Sequence, residues 1–247
     1  MTQNQKNLNS PVISLKNVSR VYQMGEHEIW ALKDMDLNVF PSELIVVLGP
    51  SGSGKTTLLN LIGGIDTPTR GTLEVAGLKL TKKVDLTRFR REKVSHIFQF
   101  FNLIPTLTAL ENVEYVLELE KGLSRKDRRE RARKCLDFVD LLDRADHFPV
   151  QCSGGEQQRI SVARAIAKKP PIILADEPTG ELDYETGKRI LELLRIQSDD
   201  HGRTVLVVTH NSEIAKISDR VIRLRSGKIS EIIDNKNSKV PVSAISW

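Results

Sequence analysis

Hydrophobic positions follow several different rhythms along the chain. Over 12–47, short apolar runs alternate with turns, the pattern of a small β region. It ends in Leu44-Ile45-Val46-Val47-Leu48, continuously apolar as a strand covered on both faces must be. The spacing then turns helical, with Leu58, Leu59, Leu61 and Ile62 on one side, and a further strand-turn pattern covers 71–80. The stretch 101–154 is more polar and helical in rhythm. Ser124 and Asp127 have capping-box spacing there, and Ala132, Cys135, Leu136, Val139 and Leu142 form one stripe. Two more buried-strand signals follow: Ile172 to Ala175 ending at Asp176, and Val205 to Val208 ending at Thr209-His210. Residues 1–11 are predicted to be a disordered tail and 235–247 a second polar tail.

Apolar strands alternating with helices predict an α/β fold built on a parallel sheet covered on both faces. In such sheets ligands gather beyond the carboxyl ends of the strands, where Gly49, Asp176 and His210 stand. Residues 49–56 read Gly-Pro-Ser-Gly-Ser-Gly-Lys-Thr, a complete phosphate-binding loop. Glycines 49, 52 and 54 let successive N–H groups curl inward, and the following helix adds its positive dipole end. Lys55 reaches the outer phosphates and the Thr56 hydroxyl suits Mg²⁺. Asp176 and Glu177 set two adjacent carboxylates at a buried strand end, which calls for a compensating cation. Asp176 is the candidate Mg²⁺ ligand and Glu177 the candidate base for an attacking water. Ser153-Gly154-Gly155, at a helix start, is a second anion-binding nest.

Composition changes this picture little. Hydrophobic residues make up 39% and charged residues 28%, as in a soluble globular protein, and no apolar stretch approaches the ~20 residues needed to span a bilayer. The N-terminus lacks the apolar core of a signal peptide, so a cytosolic chain is expected. Two cysteines, Cys135 and Cys152, are too few for a disulfide scaffold. The +5 net charge is concentrated at 88–93 and 121–134; it suits a solvated face, a membrane surface or nucleic acid, and does not choose among them.

The order of these motifs resembles the nucleotide-binding subunit of ATP-binding-cassette (ABC) transporters over 12–234. The carrying residues are the phosphate loop, Gln99 after His96-Ile97-Phe98, Ser153-Gly154-Gly155, the strand ending Asp176-Glu177, Gly180-Glu181-Leu182-Asp183, and His210. Trp30-Ala31-Leu32-Lys33, the run 98–105 and Asp176-Glu177-Pro178-Thr179-Gly180 are most similar to the subgroup serving lipoprotein release and macrolide or peptide export. The resemblance implies a P-loop NTPase fold: a RecA-like parallel sheet, an N-terminal antiparallel β region and an inserted helical subdomain at about 101–154. It implies ATP and Mg²⁺, held by Gly49, Ser51, Gly52, Ser53, Gly54, Lys55, Thr56 and Thr57. Tyr22 would stack on adenine, Gln99 would touch Mg²⁺ and the attacking water, and His210 would hold the terminal phosphate. Ser153, Gly154, Gly155 and Glu156 would meet the ATP of a second subunit, and Asp183 would bridge the two.

The implied assembly is a homodimer around two ATP on a separately encoded membrane permease, docked through Phe100 to Pro105 at the cytoplasmic face of the inner membrane. The implied cargo is hydrophobic, lipid-linked or peptide-like, moved by export or extraction; mechanotransmission without transport is the alternative. Nucleic-acid partners are not expected, because the chain lacks long insertions and a second cassette; a GTPase is disfavoured because no Asn-Lys-x-Asp guanine reader appears. Cys152 stands where the family usually has Leu, and Glu156 where it often has Gln; both are expected to alter activity in degree only.

Overall fold

The computed structural model describes residues 10–120 and 122–246, so most of the predicted N-terminal tail lies outside the described residues. Strands β1 (Ile13–Met24) and β2 (His27–Val39) form a long antiparallel pair, from Ile13 opposite Val39 to Met24 opposite His27. β4 (Arg70–Val75) pairs antiparallel with β1, and the short β5 (Leu78–Lys79) closes this sheet in the order β2-β1-β4-β5. Leu32, Met35, Leu37 and Val39 point inward while their neighbours on β2 face solvent, which explains the alternating pattern read there.

The second sheet runs β10-β9-β3-β8-β7-β6. Its members are β3 (Leu44–Leu48), β6 (Val94–Ile97), β7 (Ile172–Asp176), β8 (Thr204–Thr209), β9 (Arg220–Arg225) and β10 (Lys228–Asp234). Each neighbouring pair is parallel except β9–β10, which is antiparallel. Alternate residues of β3 enter two separate cores. Ile45 and Val47 pack with the N-terminal sheet and with α1 (Lys55–Ile62), while Leu44, Val46 and Leu48 pack with helices on the other side. A strand sandwiched in this way has no solvent face, hence its unbroken apolar sequence.

The opposite layer contains α3 (Ala109–Tyr115), α4 (Arg125–Phe138), α5 (Gly154–Ala167) and α6 (Tyr184–Asp199); α2 (Leu86–Lys93) precedes β6. The region 101–154 is only partly helical: 101–108 is a loop, fastened by the buried Asn112, whose amide bonds Ile104, Leu107 and Thr108. Ala132, Leu136 and Val139 are fully buried as predicted, but Leu142 is 36% exposed. Helix α4 stops at Phe138 and Asp140 turns left-handed (φ 56°), so the stripe loses its register before Leu142.

Residues 235–246, polar in composition, lie along the body. Val242 and Ile245 are buried, Val240 N donates to Lys216 O at 3.0 Å, and Tyr184 Oη donates to Ile245 O at 2.6 Å. Among the described residues no helix is long and apolar enough to cross a membrane.

Candidate functional site

Parallel pairing sets Leu48 beside Thr209 and Asp176 beside Val208, so the loop after β3, the acids ending β7 and the histidine after β8 share one sheet edge. The phosphate loop depends on its glycines. Gly54 is left-handed (φ 101°), and a Cβ there would lie 2.5 Å from Ala31 O. No side chain caps α1, so its first N–H groups remain for a ligand. Ser53 Oγ is buried inside the loop without a hydrogen-bond partner. Lys55 Nζ donates to the loop's own carbonyls, Gly49 O at 2.7 Å and Pro50 O at 3.1 Å. Ser51, Gly52 and Thr56 are exposed, with Thr57 half-buried behind them.

The Thr56 hydroxyl lies close enough to Asp176 to favour its charged form. Burial raises the Asp176 pKa above the usual carboxylate value, and the Glu177 charge adds to this against the opposing pull of Thr56 and Lys55. A carboxyl desolvated in this way, beside a hydroxyl and a glycine cradle, fits a bound dication. Among the described residues no group of three or more His, Cys, Asp or Glu could hold a metal alone. That suits Mg²⁺, which takes few protein ligands and completes its shell with water and phosphate.

Glu177 adopts φ 44°, a left-handed conformation uncommon for a side-chain-bearing residue, and its N–H donates to Val208 O at 2.9 Å. This turn brings the carboxylate to His210, Oε1 to Nδ1 at 3.0 Å. Glu177 is 14% exposed and His210 72%, so the carboxylate is sheltered while the ring faces solvent. With Glu177 ionised, Nδ1 carries the proton and donates. Gln99 follows β6 and donates to Glu181 Oε1 at 3.1 Å, which ties it to the loop after Glu177.

Tyr22 stands apart, on β1. Its hydroxyl donates to Asp66 Oδ2 at 2.9 Å, and the Arg20 guanidinium lies 4.5 Å from its ring centroid while forming an ion pair with the same carboxylate. The Arg20 guanidinium therefore covers one face of the ring.

The Ser-Gly-Gly nest forms a second group. Ser153 caps α5 through a capping box, accepting from Glu156 N at 3.2 Å and donating its own N–H to Glu156 Oε2 at 2.7 Å. The Ser153 N–H lowers the Glu156 pKa, helped by Arg144, whose Nε lies 3.0 Å from Oε1. The extra acid is thus paired locally. Gly155 packs so closely on α6 that a Cβ would sit 2.6 Å from Thr186 Cγ2. Asp183 caps that helix, accepting from Thr186 N at 3.0 Å. Ser153, Gly154 and Asp183 are exposed, as an intermolecular surface requires.

Sequence reasoning missed the residues that join these groups. Gln158, 1% exposed, donates to Pro178 O at 2.9 Å and so links α5 to the turn after Glu177. Its only signal was a buried helical position inside the nest motif. Arg144, twelve residues before Glu156, gave none.

The ABC transporter family profile matches residues 32–180. An uncharacterized ABC transporter ATP-binding protein of Methanocaldococcus jannaschii, MJ0796, is 48% identical over 223 residues, 88% of this chain and 95% of that protein. The macrolide export ATP-binding/permease protein MacB of Rhodopirellula baltica is 42% identical over 95% of this chain, which spans 35% of that longer protein. Among solved structures, the MJ0796 cassette in a dimeric post-hydrolysis state bound to ADP and Pi superposes with a TM-score of 0.84, at 46% identity, covering 90% of this chain and 98% of that one. With the P-loop sheet, the acidic strand end and this extent of similarity together, the chain belongs to the ABC transporter family.

Proposed function

We propose that this ATP-hydrolysing cassette dimerises around two ATP and drives a separately encoded membrane permease that exports or extracts a hydrophobic, lipid-linked or peptide-like substrate. The carrying observation is the Glu177–His210 pair at the sheet edge shared with the phosphate loop. Glu177, fixed by its left-handed turn, accepts a proton from water, and His210 holds that carboxylate in place. The loop N–H groups and Lys55 would bind the phosphates; Thr56, Asp176 and Gln99 would hold Mg²⁺, which when bound would neutralise phosphate charge. Tyr22 would stack on adenine through the ring face opposite Arg20. Ser153 and Gly154 are exposed, ready for the ATP of a second copy, while Gly155 lets α5 approach α6, with Glu156 paired to Arg144 and Asp183 capping α6.

Three observations support the wider assembly. The MJ0796 relative is dimeric with ADP and Pi. The MacB relative is a macrolide export protein. On this chain Phe100 is 73% exposed, and Phe98, Ile104 and Tyr115 line a groove that also carries Arg90, Arg164 and Lys168, a surface suited to an amphipathic helix of the permease. Membrane association then runs through that partner. The test is affinity capture of the chain from detergent-solubilised membranes of its own cell. A stoichiometric integral membrane protein is expected; recovery of soluble partners alone would contradict the permease assignment.

A further inference from the structure

The loop after Gln99 holds two consecutive left-handed residues, Phe101 (φ 58°) and Asn102 (φ 49°). Asn tolerates this conformation, but a bulky aromatic rarely adopts it without outside support. The support comes from α5. Arg164 Nη2 donates to Phe101 O at 2.7 Å and Nη1 to Asn102 O at 2.5 Å, one guanidinium fork spanning both carbonyls. Its remaining partner is Ser161 Oγ at 3.4 Å, so every oxygen it bonds is neutral. Burial lowers the Arg164 pKa, and among the described residues no carboxylate pairs with it. A half-buried cation without a counter-ion is a poor device for stability alone. It is well suited to fixing a geometry, because two parallel donors define both the position and the orientation of the loop.

Phe101 is fastened at a second point. Its Cζ lies 3.8 Å from where a Gly154 Cβ would stand, so the ring rests on the first residue of α5. The loop is therefore pinned at both ends of one helix: by Phe101 at the Ser-Gly-Gly nest and by Arg164 ten residues further on. On its other side Gln99 bonds Glu181.

We propose that Arg164 is a positioning residue that locks the Gln99 loop to α5, so that Gln99 and the Ser153 nest keep one fixed register. This rests on the ATPase reading above, in which both groups meet ATP in the closed dimer. The test is Arg164→Lys, whose shorter side chain and compact ammonium lack the planar fork that fixes the orientation of both carbonyls, alone and combined with Asn102→Gly. Glycine enters φ 49° at still lower cost than asparagine, so the clamped shape of the loop depends less on the guanidinium although Phe101 keeps its own strain. In Arg164→Lys, kcat for ATP should fall about tenfold, the loss of one charge-assisted hydrogen bond, with KM, monomer ATP affinity and melting temperature nearly unchanged. Adding Asn102→Gly should restore kcat at least threefold. If Arg164→Lys does not fold, Arg164→Met, which buries no charge, should show the same split and the same rescue.

Wild-type kcat in these variants would overturn the proposal. So would a lowered kcat that tracks a lowered melting temperature and is not rescued by glycine. A wild-type protein that hydrolyses no ATP would overturn the ATPase reading itself and this proposal with it.

Discussion

Replacing Gly155 with alanine puts a methyl carbon 2.6 Å from Thr186 Cγ2, where unstrained Cβ atoms are not found. The next nearest atoms are Thr186 Oγ1 at 3.3 Å and Cβ at 3.5 Å, so the clash falls almost wholly on one methyl group. Both helices are rigidly anchored there, α5 by its Ser153 cap and α6 by its Asp183 cap. Relief must come from side-chain or helix displacement. Overpacking of this kind costs about 2 kcal/mol, a fall of about 4–8 °C in melting temperature for a domain of this size. Thr186→Ser removes the offending methyl and leaves only the tight but tolerable 3.3 Å neighbour. In that background Gly155→Ala should therefore cost under about 0.5 kcal/mol, a strongly non-additive pair. Calorimetric or fluorescence melting of the four proteins measures the cycle without nucleotide. Equal destabilisation by Gly155→Ala in both backgrounds would refute the reasoning, because it would place the clash elsewhere.

Two further outcomes follow from the geometry. Lys55→Ala removes charge-assisted hydrogen bonds worth about 1.5–3 kcal/mol each, so ATP affinity by titration calorimetry should fall at least tenfold; unchanged affinity would contradict the phosphate-loop assignment. At Asp219, burial raises the pKa, but hydrogen bonds from Arg195, Lys239 and Leu44 N outweigh it and hold the carboxyl below the usual aspartate value. A depressed folded pKa stabilises above the unfolded value near 4 and loses that contribution as pH falls toward the folded value. Asp219→Asn should thus cost about 3 kcal/mol by denaturant titration at pH 7, with the difference shrinking below about pH 4.

What the sequence made legible divides along physical lines. β3 and β8 could be read directly, because a strand covered on both faces has no polar positions to confuse it. The phosphate loop could be read because the chemistry demands contiguous residues. β9 was not read as a strand: Arg220, Arg223 and Arg225 interrupt its apolar positions, although Arg220 lies folded against Glu43 at 3.1 Å. The Leu142 register failed because a left-handed residue ended the helix, a local event that periodicity does not report. Tyr22 is tethered to Asp66, forty-four residues away, and Phe101 to Arg164, sixty-three away. Such pairings exist only in the folded chain. They are also what sets the orientation of residues whose identity the motifs had already disclosed.

The central claim is that Glu177 is the base for ATP hydrolysis in a cassette that ATP closes into a dimer. Its most direct test is Glu177→Gln, with turnover and ATP-dependent association measured on the same preparation. The amide keeps the shape and the His210 contact but cannot accept a proton, so turnover should fall by about 10²–10⁴-fold. ATP binding should persist, and size-exclusion light scattering should show a stable dimer with ATP and a monomer without it. Turnover close to wild type would remove Glu177 from the catalytic role, and the absence of any ATP-dependent dimer would contradict closure around nucleotide.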